Sequence, residues 1–111
     1  MKELKPWTKL EAPSYWAKVY IAVEPAQLDA LCRKFCFKVG LCVTVDPTFF
    51  IYTGGAEKGS CIGLINYARF PSSPEELEKT AIELGTEIAE QFSQSSFTVL
   101  SPNKSQFFSR R

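Results

Sequence analysis

Apolar and polar positions begin to alternate at Tyr15. Ala17, Val19, Ile21 and Val23 fall on one side of an extended chain, and Trp16, Lys18, Tyr20 and Ala22 on the other. That period of two predicts a half-buried strand. After Pro25, which suits the first turn of a helix, Leu28, Leu31, Cys32, Phe35 and Val39 follow at helical spacing. Gly40 stands where a helix C-terminal glycine belongs. Residues 41–53 are β-branched and aromatic and predict a second strand, with Pro47 confining it to a sheet edge or a bulge. Gly54 to Gly59 reads as a glycine-rich turn, and Cys61 to Phe70 as the returning strand of a hairpin.

The clearest element follows. Ser73 and Glu76 form a capping box with Pro74 at the first helical position. Leu77, Ala81, Leu84, Ile88 and Phe92 then repeat every three or four residues. Phe97 to Leu100 is a short strand, Ser101 to Lys104 a proline-containing turn, and Ser105 to Ser109 a last strand that pairs back. The order β-α-β-β-α-β, with one added strand, predicts a single ferredoxin-like α+β split sandwich over residues 15–111. Residues 1–14, polar and carrying Pro6 and Pro13, read as an N-terminal arm. In this arrangement the open sheet face carries Trp16, Lys18 and Tyr20 from the first strand and Ile65, Tyr67 and Arg69 from the third. Such a face needs a cover. The candidates are the arm with Trp7, the Phe107-Phe108 segment, a second subunit or a ligand.

Composition narrows the functions. The chain has 111 residues, 45% hydrophobic and 14% aromatic, enough for one domain with a core. No apolar run is long enough to span a membrane, and no secretion signal is recognisable. There is no histidine, which removes the commonest general base and metal ligand. The net charge of +1 argues against a general polyanion binder. Cys32, Cys36, Cys42 and Cys61 match no zinc spacing and read as reduced, structural thiols. No metal and no cofactor is expected.

Four features of the sequence bear on chemistry. The aromatic and basic sheet face resembles the base-stacking platform of RNA-recognition domains. Ser60, Ile62 and Ile65, however, stand where that motif has its stacking groups. The glycine-rich loop opens into a strand, so it does not read as a phosphate loop. The six carboxylates and single lysine of residues 75–90 read as a solvated helix face. The tail, with Phe107, Phe108 and Arg110 followed by Arg111, reads as a lid or anchor.

Ile62-Gly63-Leu64-Ile65-Asn66-Tyr67-Ala68-Arg69-Phe70-Pro71, with Thr98-Val99-Leu100 and the ending Phe108-Ser109-Arg110-Arg111, resembles small bacteriophage and prophage proteins with no assigned activity. The resemblance covers about the C-terminal half and implies an accessory role in the cytoplasm of a bacterial host. The sequence therefore predicts a binding protein and no enzyme. It would act through Trp16, Lys18, Tyr20, Tyr67, Arg69, Phe107, Phe108 and Arg110, as a homodimer, and a phage inhibitor of a host protein is the leading expectation. The alternatives are a protein that binds a small nucleotide-type anion and a single-stranded nucleic-acid binding module.

Overall fold

The second helix shows how the local signals are realised. Ser73 Oγ accepts from the Glu76 N–H at 3.1 Å, and the Glu76 carboxylate accepts from the Ser73 N–H at 3.4 Å. With Pro74 at its first position, the helix starts where its unpaired N–H groups are satisfied. It runs over Pro74–Gln91 (α2) and buries Leu77, Ala81, Leu84, Gly85, Ile88 and Ala89. The first helix, Pro25–Val39 (α1), buries Leu28, Leu31, Cys32 and Phe35. It stops at Gly40, whose φ of 73° is the left-handed conformation that glycine takes without a Cβ clash.

The computed structural model describes residues 6–110 of the chain. Five strands, Trp16–Ile21 (β1), Thr44–Tyr52 (β2), Gly55–Ile65 (β3), Ser96–Leu100 (β4) and Ser105–Ser109 (β5), form one antiparallel sheet in the order β2-β3-β1-β4-β5. This is the expected ferredoxin-like α+β arrangement with β5 added beside β4. Pro47 lies on the edge strand β2, as its missing N–H requires. Ala17, Val19, Ile21, Ile62, Leu64, Phe97 and Val99 face the helices and join their buried side chains in one core. Lys38 Nζ of α1 and Glu87 Oε1 of α2 meet at 3.0 Å on the outer surface. Among the described residues, no helix is long and apolar enough to cross a membrane.

Three expectations are corrected by this architecture. The hairpin turn is the pair Thr53-Gly54 alone, with Gly54 at φ 88°, and Gly55 to Gly59 belong to β3. The strand β3 ends at Ile65 and does not continue to Phe70. Asn66 ends it: its Nδ2 donates to the Pro13 carbonyl at 2.8 Å and its Oδ1 accepts from the Ser72 N–H at 2.8 Å, turning the chain away from the sheet. Tyr67 and Arg69 consequently leave the open face. Finally, Trp7 is 99% exposed, so the described part of the arm does not cover the sheet with that ring. Residues 1–5 of the arm, and Arg111, lie outside the described residues.

Candidate functional site

β1 is short. Its last residue, Ile21, pairs with Ser60, so residues 55–59 of β3 have no β1 partner. The β2–β3 hairpin therefore projects past the end of β1 on one side. On the other side, α2 is capped by Phe92 and Ser93 takes φ 53°, which lets the Gln94 N–H return to the Ala89 carbonyl at 2.9 Å. That turn places Gln94, Ser95 and Ser96 opposite the hairpin. Between the two walls lies a cleft of about 290 Å³, floored by Tyr20, Ile21 and Ala22. Phe50, Tyr52 and Glu57 line one wall, and Gln94 to Thr98 and Phe107 the other.

The register explains why these side chains converge. Phe50 pairs with Glu57 and Tyr20 with Cys61, so all four project from the open face. Phe50 meets Tyr20 edge to face, with centroids 6.4 Å apart. Gly59 makes room for the Phe50 ring: a Cβ there would lie 2.4 Å from Phe50 Cε2 and 2.4 Å from the Ile21 carbonyl oxygen. The Tyr52 hydroxyl donates to Glu57 Oε1 at 3.3 Å. Partial loss of solvent, then the Glu57 charge and hydrogen bond, raises the Tyr52 pKa. Hydrogen bonding to the Cys61 thiol, then burial, raises that of Tyr20. Both phenols are thus neutral donors near pH 7.

This constellation has a definite chemistry. The aromatic faces of Tyr20, Phe50 and Tyr52 can stack a heterocycle or attract a cation. Glu57 supplies a negative charge beside them. Gln94, Ser95 and Ser96 add amide and hydroxyl groups that can donate and accept. The volume lies at the lower end of small-molecule sites, roughly 300–1,000 Å³. A larger cleft of about 530 Å³ between α1 and β2 offers thiols, aliphatic groups and the Asp29–Arg33 pair but no aromatic ring. Among the described residues, no group of three or more Cys, Asp and Glu side chains is placed to hold a metal ion.

The eight residues singled out from the sequence are dispersed. Tyr20 and Phe107 line the cleft. Trp16 and Lys18 lie on the same open face nearer its other end, with Lys18 Nζ 5.1 Å from the Trp16 ring. Tyr67 meets Phe70 with centroids 5.2 Å apart and the rings tilted by 36°, and is hydrogen-bonded to Cys42, away from that face; the neighbouring Arg69 is exposed in the same turn. Phe108 points to the helix side, where it stacks on Phe97 at 4.9 Å. Arg110 pairs with Glu90 at 2.8 Å. Phe50, Tyr52, Glu57 and Gln94 were missed. Carrying the alternation through Gly55 to Gly59 would have put Glu57 opposite Phe50. The acidic series of α2 is largely engaged: Glu87 and Glu90 in the pairs above, Glu76 in its cap, and Glu78 with Lys104 at 3.2 Å and with Gln106.

No family model and no curated protein matches the chain. Two solved structures do, both over nearly the whole of each chain. One is a phage SAM lyase in complex with S-methyl-5'-thioadenosine, with a TM-score of 0.65 and 13% identity over 95% of this chain and 96% of that one. The other is a phage SAM lyase in its apo state, with a TM-score of 0.70 and 15% identity over 96% and 98%. Both are phage proteins, in keeping with the resemblance seen in the sequence, but they do not lack an assigned activity. The finding corrects the expectation of a non-enzymatic binding protein, and with it the exclusion of enzymes drawn from the missing histidine. Both matching structures are of an enzyme, and one of them holds S-methyl-5'-thioadenosine. At the level of fold, the chain is similar to phage SAM lyase from end to end.

Proposed function

We propose that this chain is a lyase of S-adenosylmethionine that binds its substrate in the cleft between the β2–β3 hairpin and the β4–β5 edge. The observation that carries the reading is the end-to-end likeness to a phage SAM lyase that holds S-methyl-5'-thioadenosine. The cleft supplies groups that suit such a substrate. Tyr20, Phe50 and Tyr52 present ring faces to an adenine or a sulfonium, and Glu57 faces the positive end of the molecule. This reading keeps the small nucleoside-type ligand of the sequence's alternative but reverses its charge: an anion was expected, whereas the group proposed to meet Glu57 is a cationic sulfonium.

The chemistry explains how a chain without histidine could be an enzyme. S-methyl-5'-thioadenosine is the substrate less its four-carbon amino-acid arm. The bond that breaks joins sulfur to the γ-carbon of that arm. The substrate's own carboxylate can attack the γ-carbon, and the electron pair of the C–S bond returns to sulfur. The products are a neutral thioether and a four-carbon amino-lactone, and no water or protein base is consumed. The protein has to fold the arm back and hold it there, which is positioning and electrostatics. Two opposite charges disappear as the bond breaks. Aromatic walls that shed their water when the substrate fills the cleft therefore favour the transition state over the separated ions.

Self-association is part of the same proposal. Phe49 is 68% and Ile51 82% exposed on the helix-side face of the projecting hairpin, past the helices that cover the rest of that face. A second copy is the proposed cover, and light scattering on the purified chain decides it. The same reading has the protein act in the cytoplasm of a bacterial host. Binding is tested by a thermal shift with S-methyl-5'-thioadenosine. The melting temperature should rise with concentration, and Tyr20→Ala should abolish the rise. No shift at millimolar ligand contradicts the assignment.

A further inference from the structure

On the opposite side of the sheet from the candidate site, the chain gathers three of its four cysteines. Cys32 and Cys36 are one turn apart on α1, and Cys42 follows the helix. All three line the cleft between α1 and β2, with Leu41, Val43 and Val45. The turn after α1 brings them together. The N–H groups of Gly40 and Leu41 both donate to the Cys36 carbonyl, at 2.8 and 3.1 Å, which folds residues 41–43 back over the last helical turn. The Val43 N–H, next along the chain from Cys42, then donates to the Cys36 sulfur. All of these cysteines are free thiols.

They differ in access. Cys32 is buried and Cys36 half-buried, whereas Cys42 is exposed. Burial pushes the Cys32 thiol up to about 11 and also raises Cys36. Neither attacks a reagent readily near neutral pH. An exposed thiol beside a partly covered second one is the arrangement of an attacking and a resolving cysteine.

We propose that Cys42 and Cys36 form a dithiol modification site that closes to an intramolecular disulfide when it meets a low-molecular-weight disulfide. The Cys42 thiolate attacks one sulfur of the reagent, forming a mixed disulfide and releasing one thiolate. The Cys36 thiolate then attacks the Cys42 sulfur, and the second reagent thiolate leaves. Two protein thiols are oxidised, one small disulfide is reduced to two thiols, and the protons of Cys36 and Cys42 end on the leaving groups. The bond ties the end of α1 to the start of β2. It requires the two Cα atoms to come within about 7 Å, and the two residues already line one cleft.

The test treats the full chain with oxidised glutathione at pH 8, traps remaining thiols by alkylation, and maps peptides by mass spectrometry. The site predicts a Cys36–Cys42 cross-link with Cys32 and Cys61 still alkylated. Cys36→Ser should instead stop at glutathione held on Cys42. A lasting mixed disulfide on Cys42 in the unaltered chain overturns the proposal, as do a cross-link to Cys32 or Cys61, a bond between two chains, or no reaction. The readout needs no substrate, so it stands or falls separately from the lyase assignment.

Discussion

The hydroxyl of Tyr52, the last residue of β2, donates to Glu57 Oε1 of β3 across 3.3 Å. The pair sits near the tip of a hairpin that has outrun its β1 partner, and it fixes the exposed carboxylate at the mouth of the cleft beside the aromatic rings. This single contact links the local turn chemistry of Thr53-Gly54 to the charge of the proposed site.

The charge on Glu57 separates substrate from product. S-adenosylmethionine is cationic at sulfur, whereas S-methyl-5'-thioadenosine is neutral there. Glu57→Gln keeps the shape and removes the charge. It should weaken the binding and turnover of S-adenosylmethionine by about 10- to 100-fold, the scale of a charged hydrogen bond, with little change for the thioether. Calorimetric titration with both ligands measures the difference. An equal loss for both would show that Glu57 acts only on the hairpin's shape.

Gly59 is required for its lack of a side chain. A methyl group there meets the Phe50 ring and the Ile21 backbone, each at 2.4 Å. The ring can swing away but the backbone cannot. Gly59→Ala should therefore cost about 1–3 kcal/mol, the usual penalty of overpacking, and displace Phe50 from Tyr20. Denaturant unfolding together with ligand binding would show both effects; unchanged stability contradicts the packing.

Ser60 is fully buried on the helix side, where its Oγ donates to the Val23 carbonyl at 2.6 Å. Ser60→Ala leaves that carbonyl without this donor. A loss of about 1–3 kcal/mol is expected, with the candidate cleft untouched. Thermal unfolding should show it, while the ratio of ligand affinities stays constant.

Alkaline pH supplies a further check. Burial, then the charges of Cys36 and Asp29, raises the Cys32 pKa from 9.0 to about 11. The folded state thus favours the neutral thiol. Its stabilising contribution, roughly 2–3 kcal/mol, is fully present below pH 9 and is lost as pH rises towards 11. The stability gap between the unaltered chain and Cys32→Ala should therefore narrow across that window. A gap that stays constant from pH 8 to 11 contradicts the burial argument.

The fold was legible where local chemistry was decisive. The Ser73–Glu76 cap, the α2 stripe, Gly40 and Pro47 each specify one local geometry, and together they leave few topologies. The site was less legible because it depends on register. Glycines in Gly54–Gly59 read as a turn, yet Gly59 serves a strand that has a ring lying on it. That misreading hid Glu57 opposite Phe50. The placing of Tyr67 and Arg69 failed for another reason: a side chain, Asn66, ended the strand through a contact with Ser72 and one with Pro13, which is remote in sequence. The missing histidine was a sound observation applied too widely. It excludes a histidine base, but not a reaction in which the substrate supplies its own nucleophile.

The most direct measurement is to incubate the purified chain with S-adenosylmethionine alone and follow the products by liquid chromatography and mass spectrometry. The account predicts S-methyl-5'-thioadenosine and a four-carbon amino-lactone in equal amounts, with no second substrate consumed and with the rate sharply reduced in Glu57→Gln. Folded protein that leaves S-adenosylmethionine intact beyond its spontaneous decay would contradict it.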